Sequence, residues 1–231
     1  MTDAPLVSVI VPVYNGAAYL AEALASVQAQ SYHPIEVIVV DDGSTDTSGD
    51  VARQAIPQAR LFRQANQGAG AARNRGVAEA RGDLLAFLDQ DDVWVGEKLA
   101  WQVAALATEP TLDVVFGHVQ QFFSPDLDAA SRSRLSCPDH PQPGLLPSAL
   151  LIRRAAFARV GPFASGWRVA EWAAWYVRAV DLGLRTVMLP QVVARRRLHA
   201  TNTGLTARDA TGEYARLLKA RLDRRRGAAD L

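Results

Sequence analysis

The feature of this sequence that most constrains its fold is a series of apolar runs, each of which stops abruptly at a polar cluster. Short, near-continuous apolar runs are typical of strands that are buried on both faces, as in parallel sheets. The three clearest runs, with the clusters that end them, are Leu6–Val13 before Tyr14-Asn15-Gly16, Ile35–Val40 before Asp41-Asp42-Gly43-Ser44, and Leu84–Leu88 before Asp89-Gln90-Asp91-Asp92. They predict parallel strands with polar carboxyl ends.

Amphipathic segments separate these runs. Apolar residues recur at helical spacing from Leu20 to Val27, which predicts a helix with one buried stripe. Further elements are predicted as a weaker strand over Ala59–Arg63 and as helices that begin near Asp46 or Ser48, cover Gly70–Ala80, and cover Glu97–Thr108. Alternating strands and helices with right-handed crossovers predict an α/β three-layer sandwich around a mostly parallel sheet.

The second half of the chain is less regular. The segment 124–147 is rich in Pro, Ser, Asp and Arg, and we expect it to be a long surface loop. The other expected elements are strands over Asp113–Phe123, Arg185–Leu189 and Val192–Arg197, and helices over Arg153–Val160, Ala170–Leu182 and Ala207–Arg226. No linker-like stretch separates the two halves, so a single domain is expected.

Composition and charge exclude several classes of protein. With 49% hydrophobic and 21% charged residues, the chain resembles ordinary globular domains. A net charge of +1 gives no global basic field, so no nucleic-acid partner is expected. The single Cys137 excludes an internal disulfide framework and a cysteine zinc site. Because no apolar run approaches about 20 residues and the start lacks a basic signal-peptide region, we expect a cytoplasmic protein.

The acidic cluster Asp89-Gln90-Asp91-Asp92 is the strongest functional signal. Ligands of open α/β sheets bind outside the carboxyl ends of the strands, where this cluster is expected. Three carboxylates within four residues repel one another unless a cation or hydrogen bonds offset their charge. Oxygen ligands without cysteine suit Mg²⁺ or Mn²⁺. The alternative is a solvated turn whose aspartates cap the next helix.

The pair Asp41-Asp42 allows a similar choice. A strand-to-helix turn explains Gly43 and Ser44 but requires only one aspartate, so the other can accept from a ribose hydroxyl or a base N–H. The first turn lacks the G-x-G-x-x-G motif of dinucleotide sites, and the Gly-rich segment 66–70 is not followed by Gly-Lys-Ser/Thr. A nucleophile elbow is also absent.

Three segments together resemble the family 2 glycosyltransferases of GT-A fold. They are Val7–Asn15, Val39–Asp46, and Asn66–Asp92, which contains Ala72-Arg73-Asn74-Arg75-Gly76 and ends in Asp89-Gln90-Asp91-Asp92. The resemblance implies transfer of a sugar from a nucleotide-diphospho-sugar, a UDP-sugar being the expected donor, with inversion at the sugar. It implies one domain over 1–231, in which 1–108 bind the donor and 109–231 bind the acceptor.

The resemblance also implies roles for individual residues. The nucleoside pocket is expected at Pro12, Tyr14 and Asp42 with Asp41 beside them, and the rest of the donor near Arg73, Asn74 and Asp89. Asp89 and Asp91 match the D-x-D motif, in which Asp91 holds Mn²⁺ or Mg²⁺. The stretch Arg195–His199 resembles one that supplies cations to the diphosphate, here Arg197, and a metal ligand, here His199. A solvated basic face is the alternative for that stretch.

The catalytic base is where the sequence departs from the family pattern. The family's aspartate position, six residues before Arg178, holds Trp172, and the nearest carboxylate is Glu171. One residue along a helix turns a side chain by about 100°. Glu171 is therefore the candidate base in a shifted helix. One alternative is a base from elsewhere in the chain; another is that Glu171 only caps the helix and the Trp-rich face forms core.

These observations favour a metal-dependent, inverting glycosyltransferase that acts on an acceptor hydroxyl. The alternative, motivated by Trp172, is a protein that binds nucleotide sugars with impaired catalysis. A nucleotidyltransferase is disfavoured because residues 1–30 contain no lysine to hold a triphosphate. The run Arg224-Arg225-Arg226 suits a basic helix end or a peripheral contact with the inner face of a membrane.

Overall fold

A computed structural model of the protein describes residues 4–202 and 212–229. Within them, nine strands form one sheet: β1 (Val7–Val13), β2 (Ile35–Asp41), β3 (Arg60–Arg63), β4 (Leu84–Phe87), β5 (Val93–Trp94), β6 (Val114–Phe123), β7 (Gln142–Pro143), β8 (Leu151–Arg153) and β9 (Thr186–Leu198). The α-helices are α1 (Ala17–Gln28), α2 (Ser48–Ala55), α3 (Ala69–Glu79), α4 (Lys98–Thr108), α5 (Ala129–Arg132), α6 (Arg154–Val160), α7 (Glu171–Asp181) and α8 (Gly212–Ala229).

The sheet is mostly parallel, as predicted. Its order is β3-β2-β1-β4-β8-β6-β9-β5, and β7 pairs with β6 outside this path. Strands β1 to β4 pair in parallel, and β6 pairs in parallel with β9. Strand β8 runs antiparallel to both β4 and β6 and joins the two parallel groups.

The three-layer arrangement follows from the alternation of side chains along the buried strands. In β1, Val9 and Val11 face one apolar cluster, while Ile10 faces the other. The first cluster includes apolar residues of α1, α2 and α4, and the second includes residues of α3, α6 and α7. The continuous apolar runs of the sequence thus reflect strands that are covered by helices on both faces.

Two expectations for the second half need correction. The two strands predicted on either side of Pro190 are one strand, β9, whose pairing with β6 shifts register next to Gly117 and His118. The segment 124–147 is not wholly loop, because it contains α5 and β7. The final helix is described over Gly212–Ala229, as expected for this part of the chain, and its predicted start at Ala207 lies outside the described residues. In the part of the chain that the structure describes, no helix has both the length and the apolarity to cross a membrane.

Candidate functional site

Gln90, the middle residue of the D-x-D motif, fixes the end of β4 to the end of β1. Its Oε1 accepts from the backbone N–H of Tyr14 at 2.8 Å, and its Nε2 donates to the carbonyl of Tyr14 at 3.1 Å. A Cβ at Gly16 would lie 2.3 Å from Gln90 Oε1, so only glycine allows this approach. The sequence singled out the neighbouring aspartates, but Gln90 is the residue that joins the two strand ends beyond the last backbone hydrogen bond of the strand pair, from Leu88 to Ile10.

Tyr14 and Pro12, both expected at the nucleoside pocket, differ in exposure. Pro12 is buried within β1, where it pairs with Val40 of β2. The side chain of Tyr14 follows the strand and is 47% exposed. Tyr14 therefore presents an aromatic ring at the polar edge of the sheet, and Pro12 lies beneath it in the strand.

The Asp42 carboxylate is buried and holds the segment that leads into α3. Its Oδ1 accepts from Gln64 Nε2 at 2.8 Å and from the N–H of Gln67 at 3.0 Å. Its Oδ2 accepts from the N–H of Gly68 at 2.7 Å. The N–H of Gln67 also lies 3.2 Å from Oδ2, so these contacts occupy the roughly four lone-pair sites of the carboxylate.

The side chain of Asp41 is also buried and lies on the opposite side of the strand from that of Asp42. Its Oδ1 accepts from the backbone N–H of Ser44 at 2.8 Å, which is the turn predicted for this segment. Its Oδ2 lies 3.6 Å from Arg63 Nε. Asp41 and Arg63 line a cavity of 210 Å³ together with Asp46 and Arg53. The two adjacent aspartates thus have different partners on opposite sides of the strand end.

Arg73 joins the acidic motif to α7. Its guanidinium donates to Asp89 Oδ1 at 2.7 Å and to Glu171 Oε1 at 3.1 Å, and its side chain is only 5% exposed. Burial by itself would lower the pKa of Arg73, but the charges and hydrogen bonds of Asp89 and Glu171 raise it above its ordinary value. The structure thus brings together three residues that the sequence placed in separate motifs.

The second oxygen of Glu171, Oε2, is buried and has no hydrogen-bond partner among the described residues. Its side chain passes close to α3, since a Cβ at Gly70 would lie 3.3 Å from Glu171 Cγ. Buried carboxylate oxygens are normally hydrogen-bonded, so one without a partner is a candidate for contact with a ligand.

Trp172 points away from these carboxylates and into an aromatic cluster. Its ring stacks on Trp175 at 5.5 Å and on Tyr176 at 5.9 Å, and its Nε1 donates to the carbonyl of Leu145 at 2.9 Å. Phe116 approaches it edge-on. The Trp-rich face of α7 is therefore core, and Glu171 on the neighbouring face is the residue that reaches the site.

Asn74, predicted near the donor, is paired with the backbone of Phe163. Its Nδ2 donates to the carbonyl of Phe163 at 2.8 Å, and its Oδ1 accepts from the N–H of Phe163 at 2.9 Å. This reciprocal pair fixes α3 to the segment that precedes α7. Both polar atoms of the Asn74 amide are therefore used in a contact within the protein, whereas the neighbouring Arg73 reaches the acidic motif.

Asp91 and His199 lie in contact, although 108 positions separate them. His199 Nε2 is 2.8 Å from Asp91 Oδ2, and Asn202 Nδ2 donates to the same oxygen at 3.4 Å. Arg197 is buried, donates through Nε to the carbonyl of Asp91 at 3.1 Å, and is hydrogen-bonded to Glu22. The end of β9 is thereby fastened to the acidic motif.

The three predicted metal ligands do not form one cluster. Asp91 and His199 meet, whereas Asp89 turns to Arg73. Across residues 4–202 and 212–229, the structure contains no group of three His, Cys, Asp or Glu side chains that encloses an ion position. Asp92 is buried behind the motif, and this burial, together with the charges of Asp91 and Asp89, raises its pKa well above the ordinary value.

Sequence reasoning missed two residues that shape the site. Ser148 accepts through Oγ from the backbone N–H of Asp89 at 3.1 Å, and Glu22 of α1 is the partner of Arg197. Ser148 follows directly on the segment expected to be a loop, and Glu22 occupies one position of an amphipathic helix. Neither residue has a local motif, so only the folded contacts reveal them.

Comparisons of sequence with known proteins find one family. The sequence model described as glycosyl transferase family 2 matches residues 8–164. A protein described as an uncharacterized glycosyltransferase of Nostoc sp. is 36% identical over 225 residues, which cover 90% of this chain and 69% of that protein. One from Rickettsia typhi is 31% identical over 237 residues, which cover 94% of this chain and 71% of that protein.

Solved structures show the same fold. The Staphylococcus aureus protein TarS 1-349 in complex with UDP has a TM-score of 0.65 and 25% identity, over 83% of this chain and 60% of that one. The mannosyltransferase PcManGT of Pyrobaculum calidifontis, in complex with GDP-Man and Mn²⁺, has a TM-score of 0.65 and 24% identity, over 87% of this chain and 59% of that one. The chain thus spans less than two thirds of either structure.

Proposed function

Because the chain belongs to glycosyl transferase family 2, we propose that it transfers a sugar from a nucleotide-diphospho-sugar to an acceptor hydroxyl, with inversion and with a divalent cation. The observation that carries this proposal is the Glu171 carboxylate: its buried Oε2 has no partner among the described residues, while its Oε1 is connected through Arg73 to Asp89 of the acidic motif. The guanidinium of Arg73 thus lies between the carboxylate of Glu171, which can accept a proton, and Asp89, where the diphosphate is proposed to bind.

The nucleoside is proposed to lie on the ends of β1 and β2. Tyr14 offers an exposed ring, and the Asp42 carboxylate, which accepts from Gln64, Gln67 and Gly68, would accept from a base or ribose donor in exchange for one of these contacts. TarS was solved with UDP and with UDP-GlcNAc, and PcManGT with GDP-Man. We expect a UDP-sugar here, bound by residues 1–108, while residues 109–231 supply Glu171 and the acceptor side.

The residues at the end of β4 fit a divalent cation. A carboxylate and an imidazole in contact, Asp91 and His199, are ligands that Mn²⁺ accepts, and Mg²⁺ commonly uses one or two carboxylates plus the phosphates of its substrate. A cation bound there would stabilise the charge that develops on the diphosphate leaving group. Asp91 and His199 would hold it, with Asp89 as the further candidate, while Arg197 keeps the end of β9 against the motif.

Glu171 is proposed to accept the proton of the acceptor hydroxyl. The guanidinium of Arg73 fixes Oε1 and leaves Oε2 as the oxygen able to approach a hydroxyl. General base catalysis of this kind is typically worth about 10²–10⁴ in rate. Since Trp172 is packed in the aromatic cluster, the departure from the family pattern leaves Glu171 as the carboxylate of α7 at the site.

For localisation we propose a cytoplasmic protein in peripheral contact with the inner face of a membrane through α8. Three exposed apolar side chains, Tyr214, Leu218 and Leu222, recur at spacing of four along this helix, and Arg224-Arg225-Arg226 follow in the sequence. Apolar side chains beside basic ones favour anionic lipid surfaces. Sedimentation with anionic vesicles should carry the protein down, and L218E/L222E should stay in the supernatant; equal sedimentation of both would contradict the contact.

The function is tested with a panel of nucleotide sugars, screened by thermal shift with and without Mn²⁺. We expect one donor class to stabilise the protein, more strongly with Mn²⁺, and to release free nucleotide when incubated with it. Release that persists undiminished in EDTA would reject the metal dependence. Donor binding without any nucleotide release, with water or with candidate acceptors, would favour a sugar-nucleotide-binding protein instead.

A further inference from the structure

Lys98, the first residue of α4, is completely buried beneath the acidic motif. Its Nζ donates to Gln102 Oε1 at 2.6 Å and to the carbonyl of Leu150 at 3.1 Å, and it lies 4.2 Å from the centre of the Trp94 ring. Within the described residues no carboxylate forms an ion pair with it. Burial lowers the pKa of Lys98 well below its ordinary value.

Three side chains from one short segment hold three consecutive carbonyls. Trp94 Nε1 donates to the carbonyl of residue 148 at 2.7 Å, Gln102 Nε2 to that of 149 at 2.8 Å, and Lys98 Nζ to that of 150 at 3.1 Å. We call this set the carbonyl ladder. Its donors are spaced four residues apart and come directly after the acidic motif in the sequence.

The carbonyl ladder is hydrogen-bonded to the acidic motif through Ser148. The carbonyl of Ser148 accepts from Trp94, and its Oγ accepts from the backbone N–H of Asp89 at 3.1 Å. Its hydroxyl also forms a hydrogen bond with the carboxylate of Asp92. The position of residues 148–150 therefore sets where both ends of the Asp89–Asp92 turn lie.

Packing alone does not account for a lysine at this place. Burying an amine costs free energy, and buried ionic groups can often be replaced by apolar residues of similar volume without loss of stability. A methionine at position 98 could not donate the two hydrogen bonds that Gln102 Oε1 and the carbonyl of Leu150 accept from Lys98. The lysine thus contributes hydrogen bonds that fix the backbone under the motif.

We propose that Lys98 is a positioning residue: through the carbonyl ladder it fixes Ser148 and thereby the Asp89–Asp92 turn in the geometry that binds the cation and the donor diphosphate. This inference rests on the proposed function, because the turn is where that function places the diphosphate. Outer contacts of this kind typically change metal affinity or activity by about 10- to 100-fold when they are removed.

The test compares K98M with wild type and with K219M, the same substitution at an exposed lysine of α8. Isothermal titration gives the Kd of UDP in Mn²⁺, EPR gives the Kd of Mn²⁺ alone, and thermal unfolding gives Tm. We expect K98M to weaken both affinities by about tenfold or more while Tm stays equal or rises, and K219M to match wild type.

A double-mutant cycle with S148A separates positioning from a general structural effect. If Lys98 acts through Ser148, K98M should add little to the loss already present in S148A, whereas independent effects would add. If K98M does not fold, W94F takes its place: it removes the hydrogen bond from Trp94 Nε1 to the carbonyl of Ser148 while keeping an aromatic ring, and it should weaken the same two affinities.

The outcomes separate this inference from the proposed function. If wild type binds UDP with Mn²⁺ and K98M binds both as tightly, or if K98M and S148A are additive, the inference is wrong and the proposed function stands. If wild type shows no UDP binding that depends on Mn²⁺, both are wrong.

Discussion

Arg73 donates to one carboxylate oxygen of Glu171 at 3.1 Å and leaves the other buried without a partner among the described residues. The same guanidinium donates to Asp89 Oδ1 at 2.7 Å. One buried cation therefore orients the candidate base and compensates the charge of the acidic motif. This arrangement ties stability to the site, because removing the cation would leave two carboxylates in a poorly solvated place.

The first prediction concerns that cation. R73M should lower the free energy of unfolding by about 2–4 kcal/mol, somewhat less than for a fully buried ion pair because Asp89 is partly exposed. R75M is the matched control: Arg75 pairs with Glu79 on the surface of the same helix, and its loss should cost less than about 1 kcal/mol. Urea denaturation measures both. Equal losses in the two variants would mean that Arg73 does not hold the carboxylates together.

The second prediction concerns the base. E171Q keeps the size of the side chain but cannot take a proton, so kcat for nucleotide release should fall by about 10²–10⁴ while the Kd of the donor stays nearly unchanged. E109Q, at the exposed ion pair of Glu109 with Arg185, is the control and should behave as wild type.

Two results would contradict this role. Retention of more than about a tenth of wild-type kcat lies outside the range of general base catalysis and would make Glu171 a structural residue. A fall in donor affinity instead of kcat would place Glu171 in the donor site, and the base would have to be sought elsewhere.

The third prediction separates the nucleoside from the diphosphate. D42N removes acceptor capacity at the end of β2, so UDP binding should weaken by about 1–3 kcal/mol, whereas inorganic pyrophosphate with Mn²⁺ should bind as before. D50N, at an exposed aspartate of α2, serves as control. Parallel losses for UDP and pyrophosphate would show that Asp42 acts only by holding the segment before α3.

Much of this fold could be predicted from the sequence because its signals are local. The buried runs of β1, β2 and β4 and the polar residues that end them lie in consecutive positions, and the parallel sheet brings those ends together. Strands β5 and β8, with two and three residues, are too short to produce a pattern. They are strands because neighbouring strands pair with them.

The partners within the site could not be predicted because they are distant in sequence. Arg73 meets Glu171 over 98 positions, and Asp91 meets His199 over 108. The resemblance to a family named these residues but did not indicate that Asp89 would pair with Arg73 rather than join Asp91. Ser148 belongs to no motif and Gln90 is the unspecified residue of D-x-D, so their roles follow only from the backbone groups that the fold places beside them.

A divalent cation held by Asp91 is proposed to bind the diphosphate of the donor, and calorimetric titration of UDP tests this binding without knowledge of the acceptor. Wild type should bind UDP about tenfold or more tightly in Mn²⁺ than in EDTA, a gain of about 1.4 kcal/mol or more, because the cation would offset the charge of the diphosphate beside the acidic motif. In D91N, which keeps the size of the side chain beside His199, the two affinities should become equal. Equal UDP affinity of wild type in Mn²⁺ and in EDTA, or an undiminished Mn²⁺ effect in D91N, would mean that no cation at Asp91 binds the diphosphate.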